Sequence, residues 1–259
     1  MGMYLITGAT GGIGAAVAGL LAERGHELIL AGRSPDRLAA LSGRITSGTH
    51  ARTQVLVRER NGEPGAVRTT TSPGTARTIT LDLNEPRRLE AALAEAGLPD
   101  RLDGVIHSAG VVDLGAVAEQ DADHWIDQLM VNLVSAAELT RLLLPALRAA
   151  EGHVVFVNST AGLRANPKWS AYAASKFGLR ALADSLRAEE PSIRVTTLYP
   201  GRTSTEMQRK VHAQEGRVYD EDAFTDPATV ARALVAALET PADAVVSELT
   251  VRPRGRQRS

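Results

Sequence analysis

The chain of 259 residues contains no cysteine. That excludes disulfides, thiolate metal sites and a cysteine nucleophile. Aromatic residues make up only 3%, so aliphatic side chains and alanine, within a 44% hydrophobic content, must fill the core. Lysine is scarce: Lys168, Lys176 and Lys210 stand against 26 arginines. Charge of one sign is lacking too. A net charge of −1 gives no general case for nucleic acid or an anionic membrane as partner. No stretch approaches the roughly 18 apolar residues of a spanning helix, and Met3-Tyr4-Leu5-Ile6 follows no basic leader. A soluble, cytoplasmic protein without a metal site is the expectation.

What is present is alternation. Short apolar runs predict strands at Tyr4–Ile6, Glu27–Ala31, Arg77–Leu81, Gly104–His107, His153–Val157, Arg194–Leu198 and Val245–Val251. Several are apolar throughout, as strands buried on both faces tend to be. Helical patterns lie between them: Ile13, Ala16, Val17, Leu20 and Leu21 share one face. Asp226-Pro227 reads as an N-cap followed by a first-turn proline. Alternating strands and helices predict an α/β protein with a doubly wound parallel sheet of about seven strands and helices on both faces. One domain is expected over residues 1–251. Two segments break the rhythm. Residues 42–75 are long for a helix-to-strand connection, with a possible hairpin of Thr53–Arg58 and Ala66–Thr71 around Asn61-Gly62. Residues 252–259 form a short basic tail without aromatics for base stacking.

Chemistry is concentrated in a few places. Thr7-Gly8-Ala9-Thr10-Gly11-Gly12-Ile13-Gly14 follows the first strand and opens the first helix. Glycines there let backbone approach a pyrophosphate, and the helix N-terminus offers unpaired N–H groups. The second strand ends at Gly32-Arg33-Ser34, where an acidic residue would bind the adenosine ribose of NAD. Arg33 and Ser34 instead suit a ribose 2′-phosphate, so NADP(H) is expected in preference to NAD(H). Tyr172 and Lys176 lie four residues apart on a helical pattern and share a face; a nearby ammonium favours the phenolate and lowers the tyrosine pKa.

Taken in order, these motifs resemble the short-chain dehydrogenase/reductase family in its shorter, single-domain branch, from about Tyr4 to Val251 outside residues 42–75. The motifs are Thr7-Gly8…Gly12…Gly14, Asp82-Leu83, Ser108-Ala109-Gly110, Asn132, Ser159, Tyr172…Lys176 and Pro200-Gly201. The resemblance implies a Rossmann-type sheet and a role for each position. Gly8, Thr10, Gly12, Ile13 and Gly14 would cradle the phosphates, and Asp82 and Leu83 would hold the adenine, although Asp82 or Asn84 also reads as a helix cap. Ser108, Ala109 and Gly110 would border the cofactor. Ser159, 13 residues before Tyr172, would hold the substrate carbonyl, with Asn158, Thr160 and Ser170 as competing neighbours. Tyr172 would transfer the proton, and Lys176 would lower its pKa and bind the nicotinamide ribose. Asn132 would hold a water linking Lys176 to solvent, or else brace a neighbour. Pro200, Gly201, Thr203 and Thr205 would embrace the nicotinamide, ahead of a substrate lid at 206–224. The sequence departs from the family's usual Asn-Asn-Ala-Gly at His107-Ser108, and His107 is read as a buried, hydrogen-bonded residue.

The implied activity is NADP(H)-dependent interconversion of a carbonyl and an alcohol, with a small-molecule substrate. A noncatalytic NADP(H)-binding sensor or scaffold is the alternative from another class; dehydration or epimerisation is disfavoured by the short chain. The resemblance also implies a homodimer or homotetramer formed through the helices bearing Asn132 and Tyr172.

Overall fold

The computed structural model describes residues 1–47, 57–58, 64–65 and 74–254. Seven parallel strands form one sheet: β1 Met3–Thr7, β2 Glu27–Gly32, β3 Ala76–Thr80, β4 Gly104–His107, β5 His153–Val157, β6 Arg194–Pro200 and β7 Glu248–Val251, in the order β3-β2-β1-β4-β5-β6-β7. The helices are α1 Gly12–Glu23, α2 Pro35–Thr46, α3 Leu89–Ala96, α4 Ala122–Leu129, α5 Ser135–Ala150, α6 Ser170–Glu189, α7 Glu206–Gln214 and α8 Pro227–Leu238. Only the last strand starts notably later than its apolar pattern suggests. Val245 is 42% exposed, and pairing with β6 as a strand begins at Glu248.

Consecutive strand residues point to opposite faces, which explains why the strands read as unbroken apolar runs. Leu5, Ile29, Val105, Val154 and Phe156 join α3, α5 and α6 on one face. Their neighbours Ile6, Leu30, Ile106, Val155 and Val157 join α1, α2 and α8 on the other. Two apolar layers thus clamp the sheet and fix its register. The helical run Ala122–Ala150 is long and apolar enough to cross a bilayer by composition. Here Leu139, Leu143 and Leu147 bury its apolar face against the sheet.

The expected insertion begins later than residue 42. Helix α2 continues to Thr46, and the Ser42 hydroxyl donates to the Ala76 carbonyl at 2.7 Å, tying the helix to β3. Beyond it, Val57–Arg58 pairs antiparallel with Pro64–Gly65, on either side of Asn61-Gly62 but with the second arm earlier than the expected Ala66–Thr71. The rest of the expected first strand, all of Ala66–Thr71 and residues 255–259 of the basic tail lie outside the described residues.

The strand order reverses between β1 and its two neighbours, β2 and β4. Loops leaving the carboxyl ends of such strands diverge and open a crevice. Every chemistry-bearing motif except Asn132, Tyr172 and Lys176 sits in one of those loops. These three come from helical elements that run alongside: the π-helical turn Met130–Val134 between α4 and α5, and α6.

Candidate functional site

The loops enclose one cleft of about 740 Å³. Gly8, Thr10, Gly12, Ile13, Gly14 and Arg33 line one end with Asp82 and Leu83; Ser108, Ala109, Gly110, Ser159, Tyr172, Lys176, Pro200, Gly201, Thr203 and Thr205 line the rest. Of the residues singled out from sequence, Ser34, His107, Asn132 and Ser170 do not line the cleft. Ser34 caps α2, its Oγ accepting from the Arg37 N–H at 3.4 Å. Arg37, one turn into α2, lines the cleft beside Arg33 and escaped notice because nothing in its neighbourhood forms a motif.

The glycine loop is shaped for backbone approach. Gly8 adopts φ +61, and a side chain there would meet the backbone of Ala109 at 2.7 Å. A Cβ on Gly14 would lie 2.3 Å from the Gly8 carbonyl oxygen. Helix α1 has no side-chain cap at Gly11 and no acidic residue in its first turn. Its first amides and positive dipole end therefore face the cleft uncompensated, the arrangement that receives a phosphate. Arg33 is exposed at the same end and has no acidic partner in an ion pair among the described residues. Loop, helix end and unpaired guanidinium together fit a dinucleotide carrying a ribose phosphate. Asp82 turns locally instead of starting a helix, its Oδ1 accepting from the Asn84 N–H at 3.0 Å, and α3 begins only at Leu89. The Thr205 methyl presses on Gly12, so the start of α7 closes over the glycine loop.

At the other end Tyr172 and Lys176 are both buried. The Lys176 Nζ lies 5.8 Å from the Tyr172 ring centroid and donates to the Val157 carbonyl at 3.1 Å. Burial pushes the Tyr172 phenol up to about 12, against which a hydrogen bond from Ser159 works downward. Burial also draws Lys176 down to about 8. The Tyr172 phenol is thus raised, not lowered as expected from a neighbouring ammonium, because desolvation disfavours the charged form. The Ser159 Oγ accepts from the Ala161 N–H at 3.1 Å, which leaves its proton free to donate. Asn158 fixes this corner: its Oδ1 accepts from the Ser159 N–H and its Nδ2 donates to the Lys176 carbonyl.

Asn132 works from behind. Its Oδ1 accepts from the Val111 N–H at 2.8 Å, and its Nδ2 donates to the Val111 carbonyl and the Ser175 Oγ, each at 2.9 Å. The side chain thus braces the loop after β4 against α6, the second of the two roles read for it. A Cβ on Gly110 would lie 3.2 Å from the Asn132 Oδ1 and 3.7 Å from the Lys176 Nζ, so this glycine keeps open a gap that both atoms border.

His107 is the buried, hydrogen-bonded residue expected. It stacks on Phe156 at 5.0 Å and 10°, and its Nε2 meets the Thr140 Oγ1 at 3.0 Å. The Thr140 hydroxyl gives its proton to the Ala136 carbonyl, so the imidazole is the donor. Burial pulls His107 down to about 3 from near 6.5, and His153, buried at the opposite end of the sheet, equally. Both stay neutral in the folded state while the unfolded chain takes up protons. Their contribution is complete above pH 6.5 and is lost as pH falls toward 3. Urea unfolding between pH 7.5 and 5 is expected to show His107→Asn removing about 1.4 kcal/mol per pH unit from the acid limb below pH 6.5. Parallel curves for the two proteins would contradict the assignment.

Sequence reasoning passed over the apolar wall of the cleft. Val112, Ala161, Tyr172 and Val211 form a small buried cluster joined by Leu114 and Trp169. Trp169 packs edge-on to Tyr172 at 5.7 Å. The one available signal was a tryptophan three residues before Tyr172 in a chain with two tryptophans.

Comparisons with known proteins agree on one family. A family model described as short chain dehydrogenase matches residues 45–216. The uncharacterized oxidoreductase YciK of Escherichia coli strain K12 is 31% identical over 216 residues, spanning 82% of this chain and 78% of that one. Among solved structures, an alcohol dehydrogenase from the archaeon Thermococcus sibiricus complexed with 5-hydroxy-NADP superposes with a TM-score of 0.79 at 24% identity, covering 98% of this chain and 97% of that one. A metagenomic short-chain oxidoreductase in complex with NADP gives a TM-score of 0.73 at 26% identity, covering 98% and 97%.

Proposed function

Because the chain belongs to the short-chain dehydrogenase family, we propose that it is an NADP(H)-dependent oxidoreductase interconverting a carbonyl and an alcohol. The observation that carries this reading is the convergence of Ser159, Tyr172 and Lys176 with the glycine loop on one cleft. The nicotinamide cofactor, when bound, supplies or accepts the hydride. The protein's own residues position the substrate and handle the proton. Ser159, whose hydroxyl proton no backbone group takes, holds the carbonyl oxygen. Tyr172, protonated at neutral pH, donates its proton to that oxygen as charge develops. Lys176, held by the Val157 carbonyl, supplies positive charge beside the phenol and a donor toward the nicotinamide ribose. The gap over Gly110, bordered by the Asn132 Oδ1 and the Lys176 Nζ, is the proposed path by which water returns a proton to Lys176.

Cofactor choice rests on Arg33. Arg33→Ala is expected to weaken NADPH binding by about 10- to 100-fold, the value of a lost charge-assisted contact, while NADH binding changes little. Fluorescence titration of both cofactors checks this, and equal losses would remove the 2′-phosphate assignment. Activity is checked by following NADPH absorbance with ketones, aldehydes and quinones. Bound NADPH without turnover of any of them would instead favour the noncatalytic sensor or scaffold. We also propose self-association through α4, the π-helical turn and α6, where Ile126, Val134 and Phe177 are exposed. Solution mass decides that point.

A further inference from the structure

We propose that the substrate is an uncharged carbonyl compound bearing an apolar substituent, and that Val112, Trp169, Met207 and Val211 select it; this rests on the carbonyl–alcohol reading above. The cleft beyond Tyr172 and Ser159 is walled by these four side chains with Ala161. Val112, Ala161 and Val211 are at most 4% exposed, and the 38% exposed Met207 on α7 faces the same space. A wall of this kind gains from burying apolar surface and offers nothing to a charge.

The charged groups of α7, its flanks and the loop after β4 are already engaged with one another. Lys210 meets the Asp113 carboxylate at 3.2 Å, and the same carboxylate takes the Gln214 amide and lies 3.6 Å from the His124 ring. Arg202 is bound to Glu215 at 2.7 Å, with Arg217 at 3.9 Å from the same carboxylate. Arg209 lies over the Tyr219 ring and reaches Glu221. The basic residues of the lid segment therefore neutralise its own acids and those of the loop after β4. An anionic substrate would have to enter the apolar wall unpaired or break one of these pairs, and either is costly.

The test uses two molecules that share one ketone and one phenyl group and differ in charge: ethyl benzoylformate and benzoylformate. In Trp125→Phe protein, which keeps Trp169 as its one tryptophan, saturating NADP+ is present and Trp169 fluorescence reads the binding of each. The ester is expected to bind at least about tenfold more tightly than the acid. NADPH-linked turnover of the same pair should show the same preference in kcat/KM. Met207→Arg, at an exposed helix position, should narrow the ratio at least about threefold by giving the carboxylate a partner. Equal binding, or tighter binding of the acid, would overturn the substrate class whether or not turnover is seen. An unchanged ratio in Met207→Arg would overturn the place of Met207 in the wall. Preferential ester binding without turnover of either would uphold the apolar, uncharged preference and sink the reductase reading instead.

Discussion

Tyr172→Phe is expected to lower carbonyl reduction by about 10²- to 10⁴-fold, the usual value of a positioned general acid, while NADPH binds as before. The substitution removes one oxygen from a side chain 6% exposed and leaves the ring packed against Trp169 and the buried cluster. Among the described residues no backbone hydrogen bond depends on that hydroxyl, so the fold should be retained. The loss should appear in kcat, because the proton is needed only as negative charge develops on the substrate oxygen. Single-turnover mixing of NADPH-loaded protein with substrate, alongside a cofactor titration, separates the two effects. Full activity in the variant would mean that another group supplies the proton. Ser159 would then be the first to examine, since it shares the hydrogen bond with Tyr172.

The second large effect is expected at Gly14. An alanine there would place its Cβ 2.3 Å from the Gly8 carbonyl oxygen, far inside contact distance, and both partners are backbone. Relief requires the loop to move away from the first turn of α1, and Gly8 is itself hemmed in by the Ala109 backbone. Strain of this kind costs about 1–3 kcal/mol, which for a domain of this size lowers Tm by about 2–12 °C. The moved loop also displaces the amides proposed to hold the pyrophosphate, so the NADPH Kd should rise by at least about tenfold. Thermal unfolding with and without NADPH reads both. Gly43→Ala makes a useful control, because a Cβ there meets nothing within 4 Å. A Gly14→Ala protein with unchanged Tm and Kd would show that the loop does not need the close approach.

Much of this was legible along the chain because the relevant physics is local. Strands buried on both faces must be apolar at consecutive positions, and Leu5 and Ile6 show why, each entering a different core layer. The glycine loop declared itself because glycine takes φ +61 at Gly8 without strain and only glycine fits the close backbone approach there and at Gly14. Tyr172 and Lys176 share a helical face by spacing alone. Other features were hidden because they depend on partners far away in sequence. The three hydrogen bonds of Asn132 reach Val111 and Ser175, 21 and 43 residues away. Asp113 and Lys210 meet across nearly a hundred residues, so that pairing had no local pattern.

The sequence by itself determined the layered α/β architecture, the glycine loop proposed to approach a phosphate and the spacing of the residues proposed to handle the proton. Each follows from backbone sterics or from the period of a helix or strand. The tertiary structure alone decided how those groups behave once assembled. It buries Tyr172 and Lys176 so that desolvation favours the neutral form of each. It ties Asn132 to the loop after β4 and to α6, pairs Arg202 with Glu215 and sets Val112, Trp169 and Val211 on one wall. Burial and pairing are properties of the space around a residue, and that space is filled by chain from elsewhere.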